Sequence, residues 1–115
     1  MGETRFDVEL TQGAEYDLEA IYDFLAENRS IDDAEAFLDA LLQKVATLER
    51  LPLRGSTPRE LDALGVREFR QILLHPYRLI YRVAAKKVFI LVIADGRRDL
   101  QALLERRLLA GRGGK

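Results

Sequence analysis

Val88-Phe89-Ile90-Leu91-Val92-Ile93 is an unbroken apolar run rich in β-branched side chains. Successive side chains of a strand point to opposite faces, so this strand is apolar on both sides. Such a strand belongs in the interior of a sheet, where neither face meets water. The run, taken as Lys87–Ala94, is therefore expected to be central, and the question is which segments flank it.

Tyr77–Ala84 is the preceding strand, joined to it by the turn Ala85-Lys86. It alternates, with Tyr77, Leu79, Tyr81 and Val83 on one face and Arg78, Ile80 and Arg82 on the other. Val66–Leu74 is a third strand, broken from the second at His75-Pro76; there Glu68, Arg70, Ile72 and Leu74 lie opposite Arg67, Phe69, Gln71 and Leu73. Arg5–Leu10 alternates charged and apolar residues as a half-buried strand does.

Between the first strand and the other three lie two helical patterns. Ala14, Leu18, Ile21, Tyr22 and Leu25 form one stripe, with Thr11 placed to cap it. Ala34, Phe37, Leu38, Leu41, Leu42, Val45 and Leu48 form the second, opened by Ser30 with Asp33 in a capping-box-like arrangement. The junction Glu27–Ser30 is short enough to force an antiparallel helical hairpin. The second helix ends near Leu51, ahead of Pro52. Gly55, Ser56, Thr57 and Pro58 read as loop, and Arg59-Glu60-Leu61 as a further helical turn. Asp95-Gly96 is a turn pair, and Asp99 can cap a last helix, Leu100–Leu109. The fold class is thus α+β: a β-α-α-β-β-β order with a short C-terminal helix, the N-terminal strand and hairpin packing on a mainly antiparallel sheet.

The 115 residues, 48% of them hydrophobic, suffice for one core without staples. They read as a single domain over 1–110 with a flexible tail, 111–115. The absence of cysteine excludes disulfides and thiolate chemistry. No apolar run approaches the roughly 20 residues of a membrane helix. Met1–Leu10 lacks the apolar core of a signal peptide, so a cytoplasmic location is expected.

Net charge is -1, but the average conceals a split. Residues 1–50 carry 13 Asp/Glu against 4 Lys/Arg, and residues 51–115 carry 6 against 14. The basic half suits an acidic partner, and the halves also attract one another within one fold. Because the hairpin covers one face of the sheet, the face bearing arginines is expected to be partly open. Arg70, Arg78 and Arg82 are its candidate binding residues, since guanidinium forks match carboxylate and phosphate. Glu68 is an intramolecular alternative for them. Arg97 and Arg98, where the central strand exits, are further candidates, with Asp95 as an alternative partner. Tyr16, Tyr22, Phe24 and Phe37 do not all fit one narrow stripe, so some face outward or toward a partner.

Catalytic signals are weak. His75 is the only histidine and has no base or nucleophile near it in sequence. Asp32-Asp33-Glu35 reads as charge that complements a helix N-terminus. No spacing suggests a metal site, no glycine-rich phosphate loop follows a strand, and no cofactor is expected.

Ala14-Glu15-Tyr16-Asp17-Leu18-Glu19-Ala20-Ile21-Tyr22, Leu51-Pro52-Leu53-Arg54-Gly55, Arg59-Glu60-Leu61, Tyr77-Arg78-Leu79-Ile80-Tyr81-Arg82-Val83 and Asp95-Gly96-Arg97-Arg98-Asp99-Leu100 occur together and in order. In this the chain resembles the ParE branch of the RelE/ParE toxin superfamily. The resemblance implies a toxin of a type II toxin–antitoxin pair that poisons DNA gyrase. It also implies neutralisation by the C-terminal segment of a ParD-type antitoxin, here expected to be acidic, with no membrane and no sequence-specific nucleic acid involved. RelE-type relatives instead cut mRNA on the ribosome. This chain has Asp95-Gly96-Arg97 where many relatives carry His, and no Tyr after Tyr81. An evident acid–base pair for cutting is therefore missing, although Arg70, Arg78 and Arg82 could still stabilise a phosphorane. The residues expected to meet antitoxin or target are Arg70, Arg78, Arg82, Arg97, Arg98, Tyr22 and Phe37.

Overall fold

The computed structural model describes residues 5–110; the expected tail, 111–115, lies outside them. The order is β1 (Asp7–Leu10), α1 (Gln12–Asn28), α2 (Ile31–Arg50), α3 (Arg59–Asp62), β2 (Phe69–Leu74), β3 (Tyr77–Ala84), β4 (Lys87–Asp95) and α4 (Gln101–Leu104), which continues as a π-helical turn, Glu105–Leu109. The four strands form one sheet in the order β1-β4-β3-β2. β1 pairs parallel with β4, and the other pairs are antiparallel. The expected α+β architecture is present, and β4 lies inside the sheet.

The local signals act as their chemistry dictates. Thr11 Oγ1 accepts the Ala14 N–H at 3.3 Å and donates to Ile90 O at 3.0 Å, so one side chain caps α1 and ties it to β4. Ser30 Oγ accepts the Asp33 N–H at 2.9 Å. The reciprocal half of a capping box is not made: Asp33 pairs with Arg29, and the Ser30 N–H bonds to Leu25 O. β2 begins at Phe69 rather than Val66, because the Val66 N–H closes the end of α3 on Leu61 O. Gly65 makes that closure possible with φ +76°, a conformation side chains disfavour.

Two apolar layers enclose the sheet. Leu25, Phe37, Leu41, Val45 and Leu48 of the hairpin pack on Ile72, Leu79, Tyr81, Val88, Ile90 and Ile93. On the other face, Leu61, Leu100, Leu104 and Leu108 pack on Phe69, Ile80, Val92 and Ala94. The expectation of an open arginine face is therefore corrected: three short helical pieces after α2 cover much of it. Leu42, placed in the α2 stripe by its spacing, is 53% exposed. The hairpin closes over the sheet with the other members of that stripe and leaves Leu42 at its margin.

A β-bulge sits in the middle of β4. Tyr81 pairs with Ile90 and Ile80 with Val92, so Leu91 is the extra residue. Val88 and Ile90 face the hairpin before it, and Ile93 does so after it. A one-residue slip normally exchanges inside for outside. Here it exchanges one apolar side chain for another and costs little burial.

The bulge coincides with the end of β1, whose last partner is Ile90. Beyond it, β4 would present unpaired edge groups. Asp17 Oδ2 accepts the Ile93 N–H at 3.0 Å, and Arg107 donates to Leu91 O at 2.8 Å. The two side chains also join each other through two bonds of 3.0 Å. One ion pair thus closes the sheet edge and ties α1 to the C-terminal turn, 90 residues away. Replacing Asp17 by Ala leaves both Arg107 and the Ile93 amide short of a partner. We expect a loss of about 1–3 kcal/mol in urea denaturation, with faster hydrogen exchange at Ile93.

Candidate functional site

The structure separates the arginines that the sequence grouped. Arg70 lies directly across from Tyr81 and so shares the hairpin face, whereas Arg78 and Arg82 point to the other. Arg70 Nη1 donates to Leu53 O at 3.1 Å and Gly55 O at 2.8 Å, holding the loop that follows α2. Arg78 is buried. Its Nη1 and Nη2 meet the Glu60 carboxylate at 2.7 and 2.8 Å, and its Nε meets Gln71 Oε1 at 2.8 Å. That bidentate bond holds the Glu60 carboxyl below its usual range, against the opposing effect of burial. Arg82 and Arg98 are exposed. Glu60, which sequence spacing could not link to Arg78, sets how that arginine is spent.

Arg97 is exposed and forks onto Asp95, with Nε–Oδ1 at 3.0 Å and Nη2–Oδ2 at 2.7 Å. Those hydrogen bonds, first from its side chain and then from its backbone N–H, lower the Asp95 carboxyl to about 2. Tyr22 donates its hydroxyl to Glu35, linking α1 to α2. That bond is the first cause of a raised Tyr22 pKa.

Phe37 and Arg97 do come together. Phe37 stacks tilted on Tyr77, ring centroids 5.0 Å apart. Both rings line a groove of about 390 Å³ where the hairpin tip meets the ends of β2 and β3. Phe24 and Leu74 extend its apolar floor, and Arg29, Asp33, His75 and Arg97 supply its rim. Phe24 is 59% exposed and Tyr16 61%, so both are outward-facing aromatics that the helix stripe could not accommodate, and Phe24 is the one in the groove. Arg29, which the sequence marked only as a helix end, and His75, weighed there only as a catalytic candidate, also line the groove. Their signal was position, since both fall at chain reversals that the hairpin and β2–β3 turn bring to one end.

The ParE toxin family of type II toxin–antitoxin systems, parDE, matches residues 8–100. The chain belongs to the ParE toxins. Among solved structures, it is similar to one described as a chromosomal ParDE toxin–antitoxin system from P. aeruginosa, with a TM-score of 0.67 and 23% identity. That match covers 81% of this chain and 98% of the other, and it shows a shared fold. No curated protein sequence matches the chain. The expected branch is thus shown, and the chain is a toxin of the type II class. Among the described residues, no helix is long and apolar enough to cross a membrane.

Two outcomes follow for this ParE toxin. Removing one partner of the buried Arg78–Glu60 pair, as in Arg78→Ala, should cost about 3–5 kcal/mol, and the double change Arg78→Met/Glu60→Leu far less, by urea denaturation. The Asp95 carboxyl should titrate at about 2 by NMR and return toward the ordinary carboxylate range in Arg97→Gln. Because its folded pKa is depressed, its contribution to stability is present above the ordinary range and is lost as pH falls toward 2.

Proposed function

We propose that this toxin inhibits DNA gyrase in the cytoplasm and is neutralised when the acidic C-terminal segment of a ParD-type antitoxin docks in the aromatic groove. The observation that carries the docking site is the groove's pairing of an aromatic floor with a rim that presents two arginines, Arg29 and Arg97, against one carboxylate, Asp33. An amphipathic acidic segment would place its apolar side chains against Phe24, Phe37 and Tyr77 and its carboxylates against Arg29, Arg97 and His75. Arg29 and Arg97 now hold Asp33, which is exposed, and Asp95, which is half-buried, and both guanidiniums themselves face solvent. Exposed pairs contribute about 0–1 kcal/mol, so exchange for a partner's carboxylate is inexpensive. A disordered acidic tail would be steered to this end by charge.

The free edge of β2 adds a second mode of contact. Ser56 bridges it at Gln71 with bonds of 3.1 and 2.7 Å. Strand periodicity turns the backbone groups of Leu73 the same way, where an added strand could pair. The gyrase reading rests on membership of the family, together with the lack of a sequence-evident acid–base pair.

Expression without antitoxin should arrest growth, and the purified chain should inhibit supercoiling or trap cleaved DNA while ribosome-bound mRNA stays intact. Cleavage of mRNA in a translating extract, with gyrase unaffected, would replace this reading by the ribonuclease one. For the antitoxin, Phe24→Ala should weaken binding of the ParD-type C-terminal peptide about tenfold or more by calorimetry without altering the thermal melt. Unchanged affinity would move the docking site elsewhere.

A further inference from the structure

A second recess, about 550 Å³, opens on the other side of Arg97. Its walls include Arg59, Glu60, Arg98, Asp99 and Gln101, and its lining contains no apolar side chain. It adjoins a smaller recess that shares Arg59 and Gly96 and adds Thr57, Gln71 and Leu73. Both lie on the sheet face away from the hairpin, the face to which Arg78 and Leu73 point.

The charges here sort into those already committed and those available. Glu60 is neutralised by Arg78, and Asp95 by Arg97. Asp99 Oδ1 accepts the Gln101 N–H at 3.0 Å, a neutral donor that leaves its charge as the one open carboxylate among the described residues of the recess. The exposed guanidiniums of Arg59, on α3, and Arg98, after β4, have no ion-pair or side-chain hydrogen-bond partner among the described residues. They offer forked donors from two separate elements to one anion or to two adjacent ones.

The form of the recess selects the anion. A peptide segment needs apolar anchors, which the aromatic groove has and this recess lacks. Phosphodiester contacts need guanidinium, hydroxyl and amide donors and no apolar anchor. The exposed carboxylates of Glu15, Glu19, Asp23 and Glu27 line α1 on the opposite layer. They would repel a polyanion approaching from that side and orient it toward the arginines.

We propose that Arg59 and Arg98 form a site for the phosphodiester backbone of a nucleic acid strand, engaged without regard to sequence. The site is distinct from the groove assigned to the antitoxin and requires no cleavage chemistry.

Fluorescence anisotropy tests it with the purified chain and labelled single-stranded DNA, duplex DNA and single-stranded RNA of mixed sequence, each about 20 nucleotides long, at about 50 mM salt. At least one strand should bind, with log affinity falling against log salt with a slope of about 1.5, as two phosphate contacts require. The tightest strand identifies DNA or RNA as the source. Arg59→Ala/Arg98→Ala should weaken binding about tenfold or more and flatten the slope, Arg59→Lys/Arg98→Lys should keep the slope, and Arg106→Ala should change neither. Should the alanine variant lose its thermal melt, Arg59→Gln/Arg98→Gln keeps part of each aliphatic stem and removes the charge. No binding of any strand would overturn the proposal. So would a double variant that binds like the wild type, or displacement by polyglutamate as effective as by unlabelled strand of equal charge.

Discussion

β4 carries apolar side chains on both faces, and one layer of helices cannot cover both. The hairpin closes one side with Phe37, Leu41 and Leu48, and α3, α4 and the π-helical turn close the other with Leu61, Leu104 and Leu108. Much of the remaining architecture follows from that requirement. The second layer must be tied to a chain that has already crossed the sheet, and Arg78–Glu60 and Asp17–Arg107 are the ties. Both join segments far apart in sequence, and both are mostly shielded from solvent, where a satisfied pair is costly to break on one side. The bulge at Leu91 belongs to the same logic, because a strand with two apolar faces can change register without exposing a polar one.

The strands, the hairpin, the N-caps Thr11 and Ser30 of its two helices and the central place of β4 were legible because each depends on residues within a few positions of one another, whereas the cap expected at Asp99 is displaced, with Leu100 at the cap position of α4. The cover on the second face was not legible. Leu61 lies in a four-residue helix, and Leu100, Leu104 and Leu108 span a turn that changes from α to π geometry. Segments that short carry too few periods to announce which surface they bury. Arg70 was misplaced for a different reason. Alternation within β2 is clear, but which of its faces matches which face of β3 depends on pairing register, and Arg70↔Tyr81 fixes that only in three dimensions.

The candidate site shows the same division. Phe37 and Arg97 were visible as residues that could face a partner, and they line one groove. Arg78 was equally visible and is largely consumed by Glu60, which lies 18 residues away on an element of one turn. A guanidinium advertises its chemistry in sequence but not its occupancy. The charge split between the halves is a related case. Glu9–Lys87 and Asp17–Arg107 join them, yet the carboxylate row on α1 faces solvent, so much of the asymmetry survives folding as two unlike surfaces.

The hydroxyl of Tyr81 accepts the Gly55 N–H at 3.0 Å from a fully buried ring, and a β-carbon on Gly55 would stand 2.7 Å from that oxygen. A loop between two helices is ordinarily among the first parts of a protein to open, since its amides answer to water or to one another. This amide answers to the middle of the sheet. Releasing it means withdrawing a tyrosine oxygen from its only protein donor among the described residues, so local opening at Gly55 is coupled to disturbance of the interior. The segment from Leu51 to Thr57 is thus, in cooperative terms, part of the folding unit of the core, although it runs along the surface.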